Sequence, residues 1–489
     1  MTSRPSPPRT GRAYETVIGL EVHVQLSTAT KMFCGCAVAF GAPPNTLTCP
    51  VCLGLPGSLP VLNGRAVELG LRTALVLGCR IHPESQFHRK NYYYPDLPKN
   101  FQISQYQYAH HPPLATGGAL TLEPGGPPRR IGIRRVHLEE DTGKLVHADR
   151  RTLIDYNRSG VPLMEVVTEP DLGSPEDART FLAQLRSILQ FAGVSSGRLE
   201  EGTFRCDANL SLRLPGGPAG TRTEIKNMNS LRSVERALHF EEARQREVLD
   251  RGAPVVQETR HWDEHREITF ASREKEEAQD YRYFPEPDLV PLRVDDAWIG
   301  RIRADLPELP DARRRRYMDV YGLPEHDARL VTATRAMAEF FEETVRLGAQ
   351  PKAAANWLVG DVAAYLNAAG REIDEVPVRP AHLADLLALI DSGTLSGRSA
   401  KDVLEEMLRT GRPAGEIVRE RGLIQISDED QLRRLVDEVI TEQPGPLADV
   451  RAGKSKAMTF LVGQVMKKTQ GRANPDMVNR ILRERLGAG

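Results

Sequence analysis

Alternation of apolar and polar residues is the feature that most restricts the fold of this 489-residue chain. Short alternating runs follow one another from about residue 15 to residue 292, separated by Gly and Pro; examples are ETVIGLEVHVQL, RIGIRRVHL, TLIDYNR, FRCDANLSL and RTEIKNMN. A period of two residues predicts strands with one buried face. From about residue 305 helix-like segments such as EHDARLVTATRAMAEFFEETVRLG replace them. We therefore expect an α+β chain, with an N-terminal antiparallel β-rich cradle with packed helices and then an all-α helical domain.

Length and shifts in composition predict the domain boundaries. A chain of this length exceeds what one hydrophobic core usually organises, so several domains are expected. The predicted division is a disordered leader at 1–14, the β-rich cradle at 15–295, a helical domain at 296–409 and a small helical tail at 410–489. Within the cradle, helical patterns cover residues 63–78, 175–192 and 230–250.

The composition indicates a cytoplasmic protein. The Pro- and Arg-rich leader lacks the apolar segment of a secretory signal, and an organelle transit peptide is the less favoured alternative. No run approaches the ~20 apolar residues of a membrane span. Six cysteines in a chain of this size do not form a disulfide scaffold.

Two close pairs of cysteines predict a metal site. Cys34 and Cys36 form a C-x-C pair, and Cys49 and Cys52 follow in CPVC. Two thiolate pairs on turn-like sequence are what a tetrahedral Zn²⁺ site needs, and four protein ligands would make that site structural. Four incidental buried thiols, or a redox C-x-x-C pair, are the alternatives.

Carboxylates recur on the polar faces of the predicted strands. A buried carboxylate such as Glu165, within VPLMEVV, is costly unless it is paired or binds a metal. If the strands share one sheet, five side chains gather in one concavity: Glu21, His23, Glu140, Glu165 and Asp207. Oxygen ligands with a single imidazole suit Mg²⁺ or Mn²⁺. For any one of these residues, a solvated sheet face explains the charge equally well.

Two cationic segments indicate nucleic-acid binding. FHRKNYYYPDLPKNFQISQY, residues 87–106, interleaves Lys90 and other cations with tyrosines, which suits a phosphate or a stacked base. A packed Tyr-rich loop is the alternative there. Residues 451–489 contain nine Lys and Arg but only two acidic residues, although the whole chain has a net charge of −1. Such asymmetry is typical of polyanion binding, and a soluble basic helix pair is its alternative.

Long ordered motifs resemble one known family. They are ETVIGLEVHVQL, HRKNYYYPDLPKNFQISQY, HLEEDTGK, DYNRSGVPLMEVVTEPD, EEGTFRCDANLSLR, EIKNMNS, DYRYFPEPDLVPL and GKSKAMTFLVGQVMK. Together they resemble the B subunits of the aspartyl/glutamyl-tRNA(Asn/Gln) amidotransferases, from about residue 14 to the C-terminus. The resemblance implies a β-rich cradle, a helical domain and a tail similar to YqeY proteins, which agrees with the changes of pattern described above.

The resemblance also implies an activity. Members act as ATP-dependent carbon–nitrogen ligases with glutamine as amido donor, and they convert Glu-tRNA(Gln) or Asp-tRNA(Asn) to the amidated form. The implied cofactors are ATP, Mg²⁺ and a structural Zn²⁺ that some members lack. The implied partners are an amidase-family A subunit that releases ammonia from glutamine, a small C subunit and misacylated tRNA. A non-discriminating aminoacyl-tRNA synthetase is a further candidate partner.

Residue roles carry over by motif. The resemblance implies that His23, Glu140 and Glu165 bind Mg²⁺, that Glu21 belongs to the same acidic site, and that Lys90 contacts phosphate or an intermediate. Matching motifs also contain substrate-binding candidates without an assigned role, namely Asp207, Asn209 and Lys226. Tail contacts to tRNA phosphate are expected from Lys454, Lys456, Lys467 and Lys468.

Two other functions compete with this one. A non-catalytic tRNA-binding scaffold would explain the basic tail and the cysteines equally well. It would not explain acidic residues where a phosphate backbone must approach, unless a metal screens them. A free-standing glutamine amidase is disfavoured because no Ser–Ser–Lys or Cys–His nucleophile arrangement is apparent.

Overall fold

Strand β1, Glu15–Gln25, lies near the middle of a large sheet and shows how the sheet is built. Ile18, Leu20, Val22 and Val24 are almost completely buried, whereas the residues between them are partly exposed. The predicted alternation is confirmed: one face of the strand packs on the core and the other carries polar side chains. The computed structural model describes residues 13–122, 128–148, 150–271, 281–423, 428–446, 455–469 and 473–486.

The twelve-stranded sheet joins segments that lie far apart in the sequence. Its main path has the order β14-β13-β12-β11-β1-β10-β7-β5-β4-β15, and β6 pairs with both β2 and β7. All of its pairs are antiparallel except β12 with β13. Two-stranded sheets pair β3 with β16 and β8 with β9.

The strands after β1 have the following bounds. They are β2 Arg80–Ile81, β3 Glu84–Ser85, β4 Phe87–Asn91, β5 Phe101–Gln105, β6 Ala115–Leu122, β7 Arg129–Glu140, β8 Lys144–Ala148, β9 Arg151–Asp155, β10 Pro162–Thr168, β11 Phe204–Arg213, β12 Thr223–Lys226, β13 Thr259–Asp263, β14 Ile268–Ala271, β15 Phe284–Pro285 and β16 Leu292–Arg293.

Three helices pack on the apolar face of the sheet. Helix α1, Gly64–Val76, contacts β7; α2, Pro175–Phe191, contacts β6; and α3, Leu231–Asp250, contacts β11. Each begins after a residue whose side chain accepts hydrogen bonds from first-turn backbone N–H groups: Asn63, Ser174 and Ser230. The helices predicted at these places are confirmed.

The chain divides into two compact units, Met1–Leu309 and Pro310–Gly489. The first ends with α4, Asp296–Ala304, which contacts α1. The second is helical: α5 Pro310–Tyr321, α6 Glu325–Val331, α7 Arg335–Arg346, α8 Pro351–Trp357, a π-helix Leu358–Val362, α9 Ala363–Ala369, a 3₁₀ turn Ile373–Glu375, α10 Pro380–Asp391, α11 Gly397–Thr410, α12 Ala414–Glu420, α13 Glu429–Glu442, α14 Ser455–Lys468 and α15 Pro475–Leu486. The predicted α+β class with a helical C-terminal part is confirmed.

Among the described helices, none combines the length and the apolar character needed to cross a membrane.

Candidate functional site

The register of four adjacent strands brings the polar residues of the sheet into rows. His23 of β1 lies between Arg205 of β11 and Glu165 of β10, and Glu165 is in turn paired with His137 of β7. Because side chains two residues apart share a face, the next polar positions of each strand lie beside this row. Distant sequence segments thus meet on the sheet face opposite the helices.

Three side chains converge closely enough to share a metal ion. His23, Glu139 and Glu165 each place a ligand atom within 4.8 Å of the others. The Glu165 Oε2 atom lies 3.5 Å from Nε2 of His23 and 3.5 Å from Nε2 of His137. Two carboxylates with an imidazole are a donor set that fits a divalent cation. We call His23, Glu139 and Glu165 the acidic cluster.

Neighbouring groups orient the carboxylates of the acidic cluster. Arg135 Nη2 donates to Oε1 of Glu165 over 2.9 Å, and Ser104 Oγ donates to Oε2 of Glu139 over 3.0 Å. Both carboxylates are nearly inaccessible to solvent, with 4% of Glu139 and 8% of Glu165 exposed. Such burial is tolerated because each carboxylate has cationic or hydrogen-bonding partners.

Burial and mutual charge shift the pKa values in opposite directions. Burial disfavours the charged form of His23, but its hydrogen bond with Glu165 raises the pKa of His23 to about 9. Burial likewise opposes ionisation of Glu165, yet His137 and His23 hold the pKa of Glu165 well below its usual range. Burial raises the pKa of Glu21, with a further contribution from the charge of Glu165. The geometry therefore keeps Glu165 ionised and makes Glu21 the more basic carboxylate.

The other predicted strand residues lie around the acidic cluster. Glu21 is the register partner of Asp207, and Asn209 Nδ2 lies 3.4 Å from Oε1 of Glu21. Lys226 of β12 approaches Asp207, with Nζ 3.8 Å from Oδ2. Burial opposes the charge of Lys90, but nearby tyrosine and glutamate side chains outweigh it and raise the pKa of the Lys90 ammonium group. These residues surround the acidic cluster without joining the group that could hold one ion.

Glu140 is the predicted site residue that the structure does not bring to the cluster. Side chains alternate along β7, so Glu139 shares the face of His137 and Glu140 lies on the opposite face. Its Oε2 atom accepts a hydrogen bond from Lys99 Nζ over 2.6 Å, and Oε1 accepts one from the backbone N–H of Ile103 over 2.9 Å. Lys99 in turn packs against Gly54. Gly54 belongs to the segment from Cys34 to Gly54 that carries the four cysteines, which we call the cysteine loop.

The four cysteines meet as predicted. The sulfur atoms of Cys34, Cys36, Cys49 and Cys52 all lie within 4.8 Å of one another, a spacing that fits tetrahedral thiolate ligands of Zn²⁺. Lys31, which is completely buried, places Nζ 3.6 Å from the sulfur of Cys52. The hydrogen bond with Cys34, together with the charge of Lys31, lowers the pKa of Cys52 to about 4 although burial opposes ionisation. This arrangement favours a thiolate, the form that binds zinc.

A cavity of about 790 Å³ opens at the strand ends beside the acidic cluster. Gln25, Arg158 and Arg205 line it together with Lys144 and three acidic residues. Arg205 and Gln25 both donate to Oδ2 of the buried Asp141, over 2.9 and 2.8 Å. The cavity is within the size range of small-molecule sites, and its wall includes Arg205, the register partner of His23.

The tail residues are only partly described. Lys454 lies outside the described residues, and of Lys456 only the helical backbone is described. Lys467 and Lys468 are exposed at the end of α14. Lys468 Nζ lies 2.7 Å from Glu438 and 2.8 Å from Glu442 of α13, so part of the tail's positive charge is paired within the tail itself.

Sequence reasoning assigned no role to Glu139, His137 or Arg135. The HLEED motif contains only part of the signal for Glu139, because choosing it over Glu140 requires knowing which face of the strand is buried. With Val136 and Leu138 facing the core, alternation along the strand places His137 and Glu139 on the opposite face. Arg135 lies two residues before His137 and therefore on the same face of the strand.

Comparison with known proteins gives a consistent result over the length of the chain. Residues 16–300 match the model of the GatB/GatE catalytic domain, and residues 339–486 match that of the GatB domain. The chain is 56% identical to the B subunit of the aspartyl/glutamyl-tRNA(Asn/Gln) amidotransferase of Moorella thermoacetica, covering 97% of this chain and 100% of the relative. The B subunits of the same name from Carboxydothermus hydrogenoformans and Brevibacillus brevis are 52% and 51% identical, each over 97% of this chain and 99% of the relative.

Proposed function

The chain belongs to the family of aspartyl/glutamyl-tRNA(Asn/Gln) amidotransferase B subunits, and we propose that the acidic cluster is the site where it activates and amidates misacylated tRNA. It is a tRNA-dependent amidotransferase subunit of the ligase type, and the non-catalytic scaffold is not favoured because the matched domain is a catalytic one. The observation that carries the proposed site is the convergence of His23, Glu139 and Glu165 within 4.8 Å.

The chemistry requires activation before amidation. Ammonia does not displace oxide from a carboxylate, so the side-chain carboxylate of the tRNA-bound Glu or Asp first attacks the terminal phosphorus of ATP, which releases ADP and forms an acyl phosphate. Ammonia then adds to the acyl carbon, phosphate leaves, and the amide remains after loss of one proton. A partner that hydrolyses glutamine would supply the ammonia.

The proposed roles follow from position. His23, Glu139 and Glu165 would hold Mg²⁺, which when bound offsets the negative charge of the phosphoryl group in transfer. The cavity lined by Arg158 and Arg205 is the candidate site for the nucleotide, because its cations suit phosphate oxygens. Glu21, whose pKa is raised by burial, would accept the proton that ammonia loses.

Lys90 and three polar residues have supporting roles in this proposal. Lys90, on β4, which β5 separates from the Glu139-bearing β7, would offer positive charge to the phosphorylated intermediate. Asp207, Asn209 and Lys226 form the polar wall beside Glu21 and would contact the substrate.

Partners and zinc complete the proposal. The relatives are named as one subunit of an amidotransferase, which implies a complex with other subunits. We assign the ammonia-producing step to an amidase-family A subunit and the assembly of the two to a small C subunit. The cysteine site would hold a structural Zn²⁺. Whether the natural substrate carries Glu, Asp or both depends on the synthetases of the cell.

Ammonium-dependent amidation tests the proposed site. The complete complex is mixed with ATP, Mg²⁺, ammonium chloride and Glu-tRNA(Gln) or Asp-tRNA(Asn), so that the glutaminase step is bypassed. Glu165→Gln is expected to lower the rate of amidation on the order of 100-fold or more while tRNA binding persists. Glu15→Gln, at the solvent-exposed start of the same β1 strand that holds His23, is the matched control and should retain the activity. Wild-type activity in Glu165→Gln would exclude the acidic cluster as the catalytic site.

A further inference from the structure

Five tyrosines from three chain segments form a contiguous group beside the acidic cluster. Tyr106 and Tyr283 are stacked, with ring centroids 4.0 Å apart and planes at 8°. Tyr108 meets Tyr106 edge-on at 5.6 Å, Tyr281 meets Tyr283 at 5.9 Å, and Tyr92 meets Tyr281 at 6.0 Å. We call Tyr92, Tyr106, Tyr108, Tyr281 and Tyr283 the tyrosine cluster.

The tyrosine cluster is not part of the hydrophobic core of the described residues. Tyr108 is 78% exposed, and the stacked pair of Tyr106 and Tyr283 is only partly buried. Large aromatic rings usually stabilise a fold by burial, so a group of them at the surface needs another explanation. Tyr108 is the ring of the group that is open to solvent, and the adjacent Gln107 is linked through Arg135 to the candidate site.

Cations lie between the tyrosine cluster and the carboxylates. Lys90 Nζ lies 4.8 Å from the centroid of the Tyr281 ring. Arg135 donates through Nη1 to Gln107, the residue between Tyr106 and Tyr108, over 2.6 Å, and through Nη2 to Glu165 over 2.9 Å. One guanidinium group therefore connects the tyrosine-bearing segment to the acidic cluster.

We propose that the tyrosine cluster stacks the unpaired nucleobases at the 3′ end of the tRNA whose amino acid is amidated. This inference rests on the proposed function. The amino acid is esterified to the last nucleotide, so a site that acts on its side chain must meet unpaired bases next to it. Aromatic side chains stack such bases at about 1–3 kcal/mol per base, independently of sequence. Lys90 and Arg135 would offset the charge of the phosphates that approach the carboxylates.

The adenine of ATP offers the same stacking chemistry, and the structure favours tRNA as its source. The nucleotide cavity, lined by Arg158 and Arg205, lies at the strand ends, and none of the five tyrosines lines it. The tyrosine cluster is also too extended for a single base, since its five rings form a chain of pairwise contacts.

The first test measures the rate of amidation by the complete complex, with ammonium as the nitrogen source, at varied concentrations of misacylated tRNA and, separately, of ATP. Tyr108→Ala is expected to lower kcat/KM for the misacylated tRNA about tenfold and to leave the KM for ATP unchanged. Tyr108→Trp, which keeps a stacking surface, should retain the wild-type value. Tyr93→Ala is the matched control, because Tyr93 is 85% exposed and lies outside the tyrosine cluster.

The second test reports stacking directly and does not need turnover. A tRNA with 2-aminopurine in place of its terminal adenine should lose fluorescence on binding to the wild-type complex and to Tyr108→Trp, and retain more of it with Tyr108→Ala. Equal quenching by wild type and Tyr108→Ala, or no quenching by either, would overturn the proposal. So would an increase in the KM for ATP with unchanged tRNA parameters, which would assign the rings to the nucleotide.

The two proposals fail in different ways. Absence of amidation by the wild-type complex would reject the proposed function, while the fluorescence measurement would still report whether Tyr108 stacks a base. Amidation by wild type together with unchanged quenching in Tyr108→Ala would reject only the stacking proposal.

Discussion

Two adjacent carboxylates at the end of β7, Glu139 and Glu140, have different surroundings because consecutive residues of a strand point to opposite faces of the sheet. Glu139 belongs to the acidic cluster and lies beside His137. Glu140 pairs with Lys99, which packs against the cysteine loop. Both are almost fully buried, so neither is a solvated surface charge. Their different partners give them different expected effects on substitution.

Substitution of the two neighbours should separate catalysis from stability. Glu139→Gln is expected to abolish Mg²⁺-dependent amidation with little change in the thermal unfolding midpoint. Glu140→Gln should leave the Mg²⁺ dependence intact but destabilise the cradle by about 3 kcal/mol, because Lys99 loses its buried partner. Mg²⁺ titrations of amidation, with thermal unfolding of the same samples, check both. Loss of the Mg²⁺ dependence in Glu140→Gln alone would contradict this assignment.

For single residues, the sequence predicted which residue types form the site better than it predicted which face of a strand each side chain lies on. Glu21, His23 and Asp207 could be placed on one face because their strands alternate clearly, whereas Glu165 is marked only as a lone carboxylate in an apolar strand. The choice between Glu139 and Glu140 could not be made from the motif alone, since it depends on how β7 is aligned with β10. That alignment includes an irregularity near Arg134, where Val167 pairs with Arg135 but Thr168 pairs with Ile133. Tertiary pairing, not local composition, decides it.

The cysteine loop is the element whose integrity should depend on a metal. Its four thiols converge, and Lys31 provides a buried positive charge beside Cys52. Four thiolates around one Zn²⁺ leave a net negative charge, which Lys31 would partly offset.

Zinc content and stability should therefore change together. We expect about one zinc per chain by elemental mass spectrometry, and a lower thermal unfolding midpoint after removal by a chelator. Cys36→Ser/Cys49→Ser should lose the metal, and Lys31→Met should lose it at a lower chelator concentration. Cys79→Ser, at a buried thiol outside the loop, should retain it. Full zinc content in the double variant would refute the site.

Helix α3 is held to the sheet by a buried carboxylate. Glu241 accepts hydrogen bonds from Arg244, from Gln245 over 3.0 Å and from Thr269 of β14 over 3.0 Å. Burial opposes its ionisation, but these donors hold the pKa of Glu241 below its usual value of 4.5. A carboxyl group whose pKa is lower in the folded state stabilises the fold fully above its unfolded pKa and loses that contribution as the pH falls further.

The stability of α3 on the sheet should therefore fall in acid. At pH 7, Glu241→Gln is expected to be less stable than wild type by about 2 kcal/mol, because a charge-assisted network is lost. The difference should shrink as the pH falls below 4.5 towards the lowered pKa of Glu241. Urea unfolding followed by tryptophan emission would measure it, because Trp262 is buried in the neighbouring β13. A difference that stays constant across this range would contradict the role of the carboxylate.

The helix predictions within the cradle succeeded because the helical patterns extend over several turns. The structure adds the capping side chains of Ser174 and Ser230 at two of the helix starts. The order of strands in the sheet could not be predicted, because β1 pairs with β10 and β11, which lie more than a hundred residues later. Nothing local in the sequence specifies such partners.

At the scale of the whole molecule, the proposed catalytic site lies in the first compact unit and the basic tail belongs to the second. Residues 410–489 contain fourteen Lys and Arg and eleven Asp and Glu. The +7 excess of residues 451–489 is thus partly offset by the acidic residues that precede it, some of which pair with Lys468. Any tRNA contact by this tail depends on how its cations are arranged and only weakly on its net charge.

Salt dependence should report those contacts. If Lys467 and Lys468 bind tRNA phosphates, Lys467→Gln/Lys468→Gln will weaken tRNA binding and reduce the slope of log affinity against log salt by roughly 1 for each phosphate that the variant no longer neutralises. Lys352→Gln, at an exposed lysine of the same unit that pairs with Asp327, is the matched control. An unchanged slope in the double variant would place the phosphate-binding cations elsewhere.

The end of β7 also has an evolutionary consequence. Six residues, Arg135 to Glu140, alternate between one face that serves the acidic cluster and another that supports the cysteine loop. An insertion or deletion of one residue within this stretch would exchange Glu139 and Glu140, placing the wrong carboxylate at each site. Relatives should therefore keep the length of this stretch constant, and insertions or deletions should accumulate before the irregularity at Arg134 or beyond Asp141.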